Sequence, residues 1–279
     1  MIRTEGLSKV YSDGTRALDD VSINIDNRFT AIIGRNGAGK TTLVRILSTQ
    51  LEPSSGRAFI DDLDIIKNAD GIRKKVVSIP QEASPIGILT PSEQVKLYLI
   101  ARGMTSSESS LAAKKSLEDV GLSESLDKPT DMLSGGTKRK VFVAMALASN
   151  AEIVFLDEPT TGLDPISRLE VWAAVRKLDG RIILTTHYME EAENLSKDVI
   201  MIDSGTILER GSVAELLNRF KDKVRIESLN VIGDAFKVGD LYIKYVNEKE
   251  AAEYINKGVN IRRISLDDLF VIRGVTVEH

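Results

Sequence analysis

One short segment, residues 34–41, constrains the fold of this chain more than any other stretch of the sequence. It matches the pattern G-x-x-x-x-G-K-[ST], and its residues are Gly34, Arg35, Asn36, Gly37, Ala38, Gly39, Lys40 and Thr41. The preceding run, Phe29–Ile33, is compact, apolar and rich in β-branched side chains, which is typical of a fully buried strand. From Lys40 onward the apolar residues recur at helical spacing. The sequence therefore predicts a strand, a glycine-rich loop and a helix in that order.

The residue types of this loop suit the binding of phosphate groups. Glycines allow consecutive backbone N–H groups to curl around phosphate oxygens, and the N-terminus of the following helix adds a partial positive charge. Lys40 supplies a flexible cation for the β- and γ-phosphates, and the hydroxyl of Thr41 is a hard oxygen ligand for Mg²⁺. A glycine-rich turn without a ligand is the alternative, but the predicted strand and helix around it favour a nucleotide site. We expect residues 34–41 and Thr42 to bind ATP together with Mg²⁺.

The composition of the chain excludes several other kinds of site. Its 279 residues include no cysteine, which excludes thiol nucleophiles, iron–sulfur clusters and cysteine-based zinc sites. The histidines are His187 and His279 alone, too few for a multi-histidine metal site. A net charge of −4 gives no support to binding of a nucleic-acid backbone, so we expect no nucleic-acid partner.

The sequence also lacks a run with the length and hydrophobicity of a membrane-spanning helix. The longest apolar run is residues 141–148, whereas about 18–20 apolar residues are needed to cross a bilayer. The first seven residues are too polar for a signal peptide. We therefore expect a cytoplasmic protein that does not cross a membrane on its own.

Strands alternate with helices along most of the chain. Strand-like runs at 76–79, 153–156, 181–185 and 199–202 are separated by segments of helical spacing, including a helix centred on Trp172. This alternation predicts an α/β fold with a mostly parallel sheet that is flanked by helices.

The region of about 85–150 is predicted to form a helical subdomain. Thr90 is followed by proline and, three positions on, by glutamate, a pattern that makes Thr90 the N-cap of a helix. A serine-rich loop is expected at 103–110, and a further helix at 111–120.

The pattern of predicted elements changes near Lys221. Short strand-like runs and one short helix follow, at 224–226, 241–246, 251–255 and 259–262. We therefore expect a main domain of residues 1–221 and a small C-terminal α/β domain of residues 222–279.

Two adjacent acidic residues end one of the buried strands. Asp157 and Glu158 directly follow the apolar run at 153–156. Acids at this place can be ordinary loop charges, but a phosphate loop in the same sheet gives them a specific task. Asp157 can hold Mg²⁺, and Glu158 is then the candidate general base that orients and deprotonates an attacking water.

A third motif precedes these acids, namely Leu133, Ser134, Gly135, Gly136 and Thr137. With the phosphate loop and the acidic strand end in this order, residues 1 to about 220 resemble the nucleotide-binding subunits of ATP-binding-cassette (ABC) transporters. The resemblance implies a P-loop ATPase core with an antiparallel β subdomain and a helical subdomain. Thr137 departs from the glutamine, glutamate or methionine of many relatives. This departure weakens the match little, because Ser134 and Gly136 are the expected phosphate contacts.

Further residues acquire a role only through this resemblance. Tyr11 matches the aromatic residue that stacks on adenine, and Gln81 matches the glutamine that reaches Mg²⁺ and the attacking water. His187 matches the histidine that hydrogen-bonds the γ-phosphate, and Asp164 matches the loop residue that meets the opposite subunit. The implied catalytic residues are Lys40, Gln81, Glu158 and His187, and the implied Mg²⁺ ligands are Thr41, Gln81 and Asp157.

The resemblance also implies protein partners. In the family two cassettes form a head-to-tail dimer, so Ser134, Gly135 and Gly136 of one copy close over the ATP of the other. The second cassette is either an identical chain or a paralogous one. Residues 265–270 with Gly274, and residues 188–193 after the histidine, resemble the drug- and antibiotic-export branch. In that branch a separate transmembrane permease binds the cassette, which places the cassette peripherally on the inner face of the cell membrane.

The sequence leaves two other functions open. A soluble ABC ATPase of a repair, translation or assembly complex would use the same ATP site. A small-molecule kinase would share the phosphate loop but would leave Glu158, His187 and residues 133–136 without a role. The sequence also leaves open the transported substrate, the direction of transport and the role of residues 222–279, which we expect to steady the dimer or the permease contact.

Overall fold

The computed structural model describes residues 1–273. Gly274 and His279, which entered the sequence analysis, lie outside the described residues. The chain divides into two compact units, one formed by residues 1–209 and one that starts at Arg210.

The elements of the first unit alternate as the sequence predicts. Its strands are β1 (Ile2–Val10), β2 (Arg16–Val21), β3 (Asn24–Ile25), β4 (Phe29–Ile33), β5 (Ser55–Ile60), β6 (Leu63–Asp64), β7 (Val76–Ile79), β8 (Ile153–Asp157), β9 (Arg181–Thr186) and β10 (Asp198–Asp203), and the unit ends within β11 (Thr206–Ser212). Its helices are α1 (Lys40–Leu47), α2 (Ala69–Lys75), α3 (Pro91–Ala101), α4 (Ser106–Asp119), α5 (Gly135–Ala148), α6 (Pro165–Val175) and α7 (Met189–Leu195).

Six strands form the central sheet, in the order β11-β10-β4-β9-β8-β7. The four pairs from β10 to β7 are all parallel, and β8 is buried along its whole length, as expected for a sheet covered on both faces. Ile33 pairs with Thr186, and Asp157 pairs with Thr185. Because β4, β8 and β9 therefore end at the same edge, the loops that follow them meet there.

An antiparallel sheet of strands β2, β1, β5 and β6, with β3 paired to β1, forms a second layer. Its buried residues Ile2, Leu18 and Ile60 share one hydrophobic core with Leu43 and Ile46 of α1. This packing places the turn after β1 close to the start of α1, which follows the phosphate loop. The antiparallel β subdomain predicted from the family resemblance is thus present.

Three helices, α3, α4 and α5, pack against one another. Thr90 caps α3 as predicted, since its hydroxyl accepts a hydrogen bond from the backbone N–H of Glu93 at 3.2 Å. The prediction of a serine-rich loop up to residue 110 is wrong, because α4 begins at Ser106. Thr105 and Glu108 form a capping box that starts the helix inside the serine run.

The second unit has its own small sheet. Its described elements are α8 (Val213–Asn218), β12 (Lys223–Ser228), β13 (Phe236–Val238), β14 (Leu241–Asn247), α9 (Glu248–Ala251), a 3₁₀ segment (Ala252–Lys257), β15 (Asn260–Arg263) and α10 (Leu266–Ile272). The strand order is β13-β14-β12-β15, with all pairs antiparallel. The unit begins upstream of the boundary between 221 and 222 that the sequence predicts, because α8 packs against α10.

Within residues 1–273, the helices are all too short or too polar to span a bilayer.

Candidate active site

A cavity of about 520 Å³ lies where the loops after β4, β8 and β9 meet. The turn after β1, the loop before α1 and the residues after β7 complete its wall. The predicted site residues in its lining are Tyr11, Asn36, Gly37, Ala38, Gly39, Lys40, Thr41, Thr42, Gln81, Glu158 and His187. The fold thus brings together side chains that are far apart in the sequence.

The loop 34–41 has a backbone that favours glycine at three positions, among them Gly37 with a φ of 78°. Gly39 has a φ of 102°, and a Cβ there would lie 2.4 Å from the carbonyl oxygen of Ala17. At Gly34 a Cβ would lie 2.2 Å from the carbonyl oxygen of Ile202. Gly39 is also the N-cap of α1 and brings no side-chain cap, so the first N–H groups of α1 are available to an anion.

Lys40 is buried in this loop, with its side chain 4% exposed. Its Nζ donates hydrogen bonds to the carbonyl oxygens of Gly34 at 2.8 Å and Arg35 at 3.0 Å. The same Nζ lies 3.2 Å from Oε1 of Glu158. The lysine therefore presents its charge between the phosphate loop and the acid that follows β8.

Glu158 is held by a network of polar contacts. Thr161 donates its hydroxyl proton to Oε2 at 2.8 Å, and Nδ1 of His187 lies 2.8 Å from the same oxygen. The backbone of Glu158 has a positive φ of 46°, and its N–H is fixed by Thr185, to the carbonyl oxygen at 3.1 Å and to the hydroxyl at 3.0 Å. Position and orientation of the carboxylate are therefore both determined.

The charge state of Glu158 follows from two opposed influences. Burial raises the pKa of this carboxyl, but the Thr161 hydroxyl, the Lys40 ammonium and His187 together outweigh it and hold the pKa below its usual range. Glu158 is consequently a carboxylate at neutral pH, which is the form that can accept a proton from water.

Asp157 and Thr41 lie side by side next to this network. The Thr41 hydroxyl donates to Oδ1 of Asp157 at 3.1 Å, and the Thr185 hydroxyl donates to the same oxygen. Thr41, Asp157 and Gln81 also share the wall of a second cavity of about 380 Å³. Hydroxyl, carboxylate and amide oxygens are the hard ligands that Mg²⁺ takes, and the ion needs only a few of them from protein when phosphate and water supply the rest. The donor set at this place therefore fits Mg²⁺.

Tyr11 lines the same cavity and lies directly after β1. Its hydroxyl lies 3.1 Å from Oγ1 of Thr42, and Lys9 Nζ lies 5.7 Å from the ring centroid. Thr15 and Ala17 line the wall beside it. A half-buried aromatic ring at the cavity wall suits contact with a planar base.

The segment 133–137 and Asp164 lie outside both cavities. Ser134 is the exposed N-cap of α5 and accepts a hydrogen bond from the N–H of Thr137 at 3.2 Å. Asp164 caps α6 in the same way, accepting from Ile166 at 3.0 Å and Ser167 at 3.1 Å. Ser134, Gly135, Gly136 and Asp164 are therefore not brought to the phosphate loop within one chain.

Sequence reasoning missed several contributing residues. Thr161 and Thr185 both bind the acids at the end of β8, and Thr15 and Ala17 line the cavity. The available signal was weak: a threonine at a strand end, or shortly after a catalytic acid, can place its hydroxyl on that acid. Many threonines have such positions without such contacts.

Residues 18–161 match the model of the ABC transporter family. The chain belongs to this family. The matched range contains the phosphate loop, the segment 133–137 and both acids at the end of β8. The protein is therefore an ABC ATPase subunit, as its motifs predict.

This ABC protein is similar to ATP-binding proteins with different described roles. It is 36% identical over 219 residues to the daunorubicin/doxorubicin resistance ATP-binding protein DrrA of Streptomyces peucetius, over 77% of this chain and 66% of that protein. It is also 36% identical over 220 residues to the retinal-specific phospholipid-transporting ATPase of Homo sapiens, over 77% of this chain and 10% of that protein. The matched part thus spans about two thirds of the bacterial relative and a tenth of the human one.

Solved ABC cassettes have the same fold. A dimeric post-hydrolysis state of an ATP-binding cassette, bound to ADP and Pi, has a TM-score of 0.69 and 27% identity, over 76% of this chain and 98% of that one. The cbiO1 protein of Clostridium perfringens, part of an ABC transporter complex, has a TM-score of 0.68 and 30% identity, over 78% of this chain and 90% of that one. The predicted P-loop fold of an ABC ATPase is thereby confirmed.

Proposed function

We propose that this protein hydrolyses ATP in the cavity beside the phosphate loop, with Glu158 as the general base. The observation that carries the proposal is the contact network of Glu158, whose carboxylate is shared by Lys40, Thr161 and His187 at 2.8–3.2 Å. The network lies at the phosphate loop, where a terminal phosphate and its attacking water would be placed.

Each residue then has a distinct task. The N–H groups of the loop and the Lys40 ammonium bind phosphate oxygens, and Tyr11 stacks on the base. Glu158 accepts the proton of the attacking water, while His187 is placed to hydrogen-bond the terminal phosphate. Thr41, Asp157 and Gln81 would hold Mg²⁺, which neutralises the charge of the β- and γ-phosphates when bound. The contact between Lys40 and Glu158 keeps both side chains oriented toward the same space.

We further propose that hydrolysis takes place in a head-to-tail dimer. Ser134, Gly135, Gly136 and Asp164 lie outside the cavity of their own chain, and Ser134 and Asp164 are exposed at helix N-termini. An exposed helix N-terminus with glycines beside it suits a phosphate that another copy presents. The dimeric ADP- and Pi-bound cassette that this chain resembles supports this assembly. The second cassette is an identical chain or a paralogue.

The physiological role that we propose is to power a separate transmembrane permease of an exporter, with the cassette on the cytoplasmic face of the membrane. Support comes from the DrrA proteins, which are described as drug-resistance ATP-binding proteins. They favour transport over a soluble ATPase of a repair, translation or assembly complex. Residues 222–279 are then an accessory domain of the dimer or of the permease contact.

The role of Glu158 is tested with Glu158→Gln, which keeps the shape of the side chain and removes its basicity. We expect ATP binding to persist and the hydrolysis rate to fall by about 10²–10⁴-fold, the usual contribution of a general base. Phosphate release and nucleotide affinity are measured on the same preparations, with Glu124→Gln as the surface control. Hydrolysis by Glu158→Gln at the rate of the control would remove Glu158 from this role.

The transport role is tested separately by affinity purification of the tagged protein from detergent-solubilised membranes. We expect a polytopic membrane protein to co-purify and to stimulate ATP hydrolysis. Co-purification of ribosomes or nucleic acid in its place would favour the soluble alternative.

A further inference from the structure

A buried carboxylate on α7 takes no part in the proposed chemistry and yet joins the segments that carry it. Glu191 is fully buried, with 0% of its surface exposed. Its Oε1 accepts two hydrogen bonds, from the hydroxyl of Thr160 at 2.9 Å and from the indole Nε1 of Trp172 at 2.9 Å. Both donors are themselves buried.

The two donors belong to different functional segments. Thr160 lies two residues after Glu158, in the loop that ends at Asp164. Trp172 lies on α6, the helix that Asp164 caps. Glu191 itself is on α7, which begins directly after His187 and Tyr188. The carboxylate of Glu191 therefore connects α7 by hydrogen bonds to the loop after Glu158 and to α6.

Two further contacts connect α6 to the start of α5 and to the segment after His187. A Cβ on Gly136 would lie 2.7 Å from Cβ of Ser167, so the start of α5 packs closely on the start of α6. Arg168 of α6 also lies over the ring of Tyr188, 4.3 Å from its centroid. Through Trp172 and Glu191, α6 is in turn connected by hydrogen bonds to Thr160.

A carboxyl group at this fully buried position has a high free energy of desolvation. Burial raises the pKa of Glu191, although the hydroxyls of Thr186 and Thr160, the indole of Trp172 and the charge of Arg168 oppose this rise. A hydrocarbon side chain of similar volume would avoid the desolvation cost. Such a side chain would, however, provide no hydrogen-bond acceptor for Thr160 and Trp172.

We propose that Glu191 is a positioning residue for ATP hydrolysis, which holds the loop of Glu158 against α6 through its hydrogen bonds to Thr160 and Trp172. The proposal rests on the role of Glu158 as the base. Glu191 does not line the cavity beside the phosphate loop, so it acts through Thr160 and not on the reacting atoms. Its removal therefore affects the orientation of Glu158 and not the binding of nucleotide.

The sequence supplies a reporter for this arrangement, because Trp172 is the single tryptophan of the chain. Its fluorescence emission depends on the polarity around the indole and on the hydrogen bond of Nε1. A change in emission therefore reports whether the contact to Glu191 is present, independently of activity.

The test compares Glu191→Met, which removes the acceptor at similar volume, with Glu191→Gln, which keeps an oxygen acceptor. We expect Glu191→Met to lower kcat by about tenfold or more with KM for ATP changed less than about twofold, since small misplacements of a catalytic group are costly. Its Trp172 emission is expected to shift. Glu191→Gln is expected to retain the wild-type emission and to restore most of kcat.

Two further variants keep the test valid if Glu191→Met does not fold. Thr160→Val removes only the hydroxyl donor, and we expect it to lower kcat at unchanged KM while the Trp172 contact persists. Because both changes break the same hydrogen bond, the double variant is expected to lose less than the sum of the two single effects. Glu190→Met, an exposed change on the same helix, is the control.

The proposal is overturned if folded Glu191→Met or Thr160→Val has the kcat of Glu190→Met, or if the two effects on kcat add fully. It is also overturned if both single variants weaken ATP binding at unchanged kcat. These results differ from a failure of the proposed function, in which Glu158→Gln itself would retain hydrolysis.

Discussion

Glu158 is buried and yet ionised, because individual side chains around it stabilise its carboxylate. The motifs alone predicted Lys40 and Glu158, whereas the roles of Gln81 and His187 came from the family resemblance. The sequence could not predict the contacts of Thr161 and Thr185, because they depend on a left-handed backbone at Glu158 and on the pairing of β8 with β9. The assigned roles of these residues in catalysis stay predictions.

The depressed pKa of Glu158 predicts a pH dependence of stability with a definite sign. A carboxyl whose pKa is lower in the folded than in the unfolded chain stabilises the fold above its unfolded pKa, and this contribution is lost as the pH falls through the folded pKa. We expect the excess in unfolding free energy of the wild type over Glu158→Gln to be constant down to about pH 5 and to shrink on further acidification. Urea denaturation of the nucleotide-free proteins at several pH values measures this. An excess that grows on acidification would contradict the assigned charge state.

The backbone geometry of the phosphate loop leads to a second prediction about single residues. Gly39→Ala places a methyl group against the carbonyl of Ala17 at a positive φ, so we expect loss of ATP binding and destabilisation by more than about 1 kcal/mol. Gly71→Ala is the matched control, because Gly71 is helical with open space around it. There we expect stability to rise by about 0.5–1 kcal/mol with ATP binding unchanged. Equal behaviour of both variants in denaturation and in nucleotide titration would show that the loop geometry is not needed.

Among the elements, the buried parallel strands were the easiest to predict and the start of α4 was the hardest. Runs such as Phe29–Ile33 and Ile153–Asp157 are apolar throughout, and nothing else in the sequence competes with a strand there. The start of α4 was misplaced because serine is common in loops, whereas here a cap at Thr105 outweighs that preference. The C-terminal domain was predicted from its strand-like runs. The sequence pattern of α8 resembles that of the segment before it, so the sequence did not indicate that the second unit starts at Arg210.

The cap of α4 can be tested directly. Thr105→Ala removes the acceptor for the N–H of Glu108, and we expect it to destabilise the helix by about 1 kcal/mol. Thr105→Ser keeps the acceptor and is expected to remain near wild type. Hydrogen exchange of the first turn of α4 is the measurement. Equal protection from hydrogen exchange in both variants would show that the Thr105 cap does not stabilise the first turn of α4.

On the scale of the whole molecule, one chain contains every residue of the predicted site but does not assemble them in one place. The phosphate loop, Glu158 and His187 share a cavity and Asp157 lines the adjoining one, whereas Ser134 and Asp164 are exposed elsewhere on the first unit. Motifs in the sequence could identify both groups of residues, and the family resemblance implies a dimer that would bring them together. The proposed dimer therefore needs a second cassette whose exposed Ser134 contacts the nucleotide.

The most direct test of this requirement is the molar mass of the Glu158→Gln protein with ATP, measured by light scattering after gel filtration. We expect ATP to raise it from 30.6 kDa to about twice that value, the mass of a two-fold dimer. In the same background Ser134→Asn and Ser134→Asp both keep a side chain that caps α5, but only aspartate repels a phosphate. We expect an ATP-dependent dimer with Ser134→Asn and a monomer with Ser134→Asp. A monomer in every case, together with wild-type hydrolysis that neither change at Ser134 affects, would contradict it.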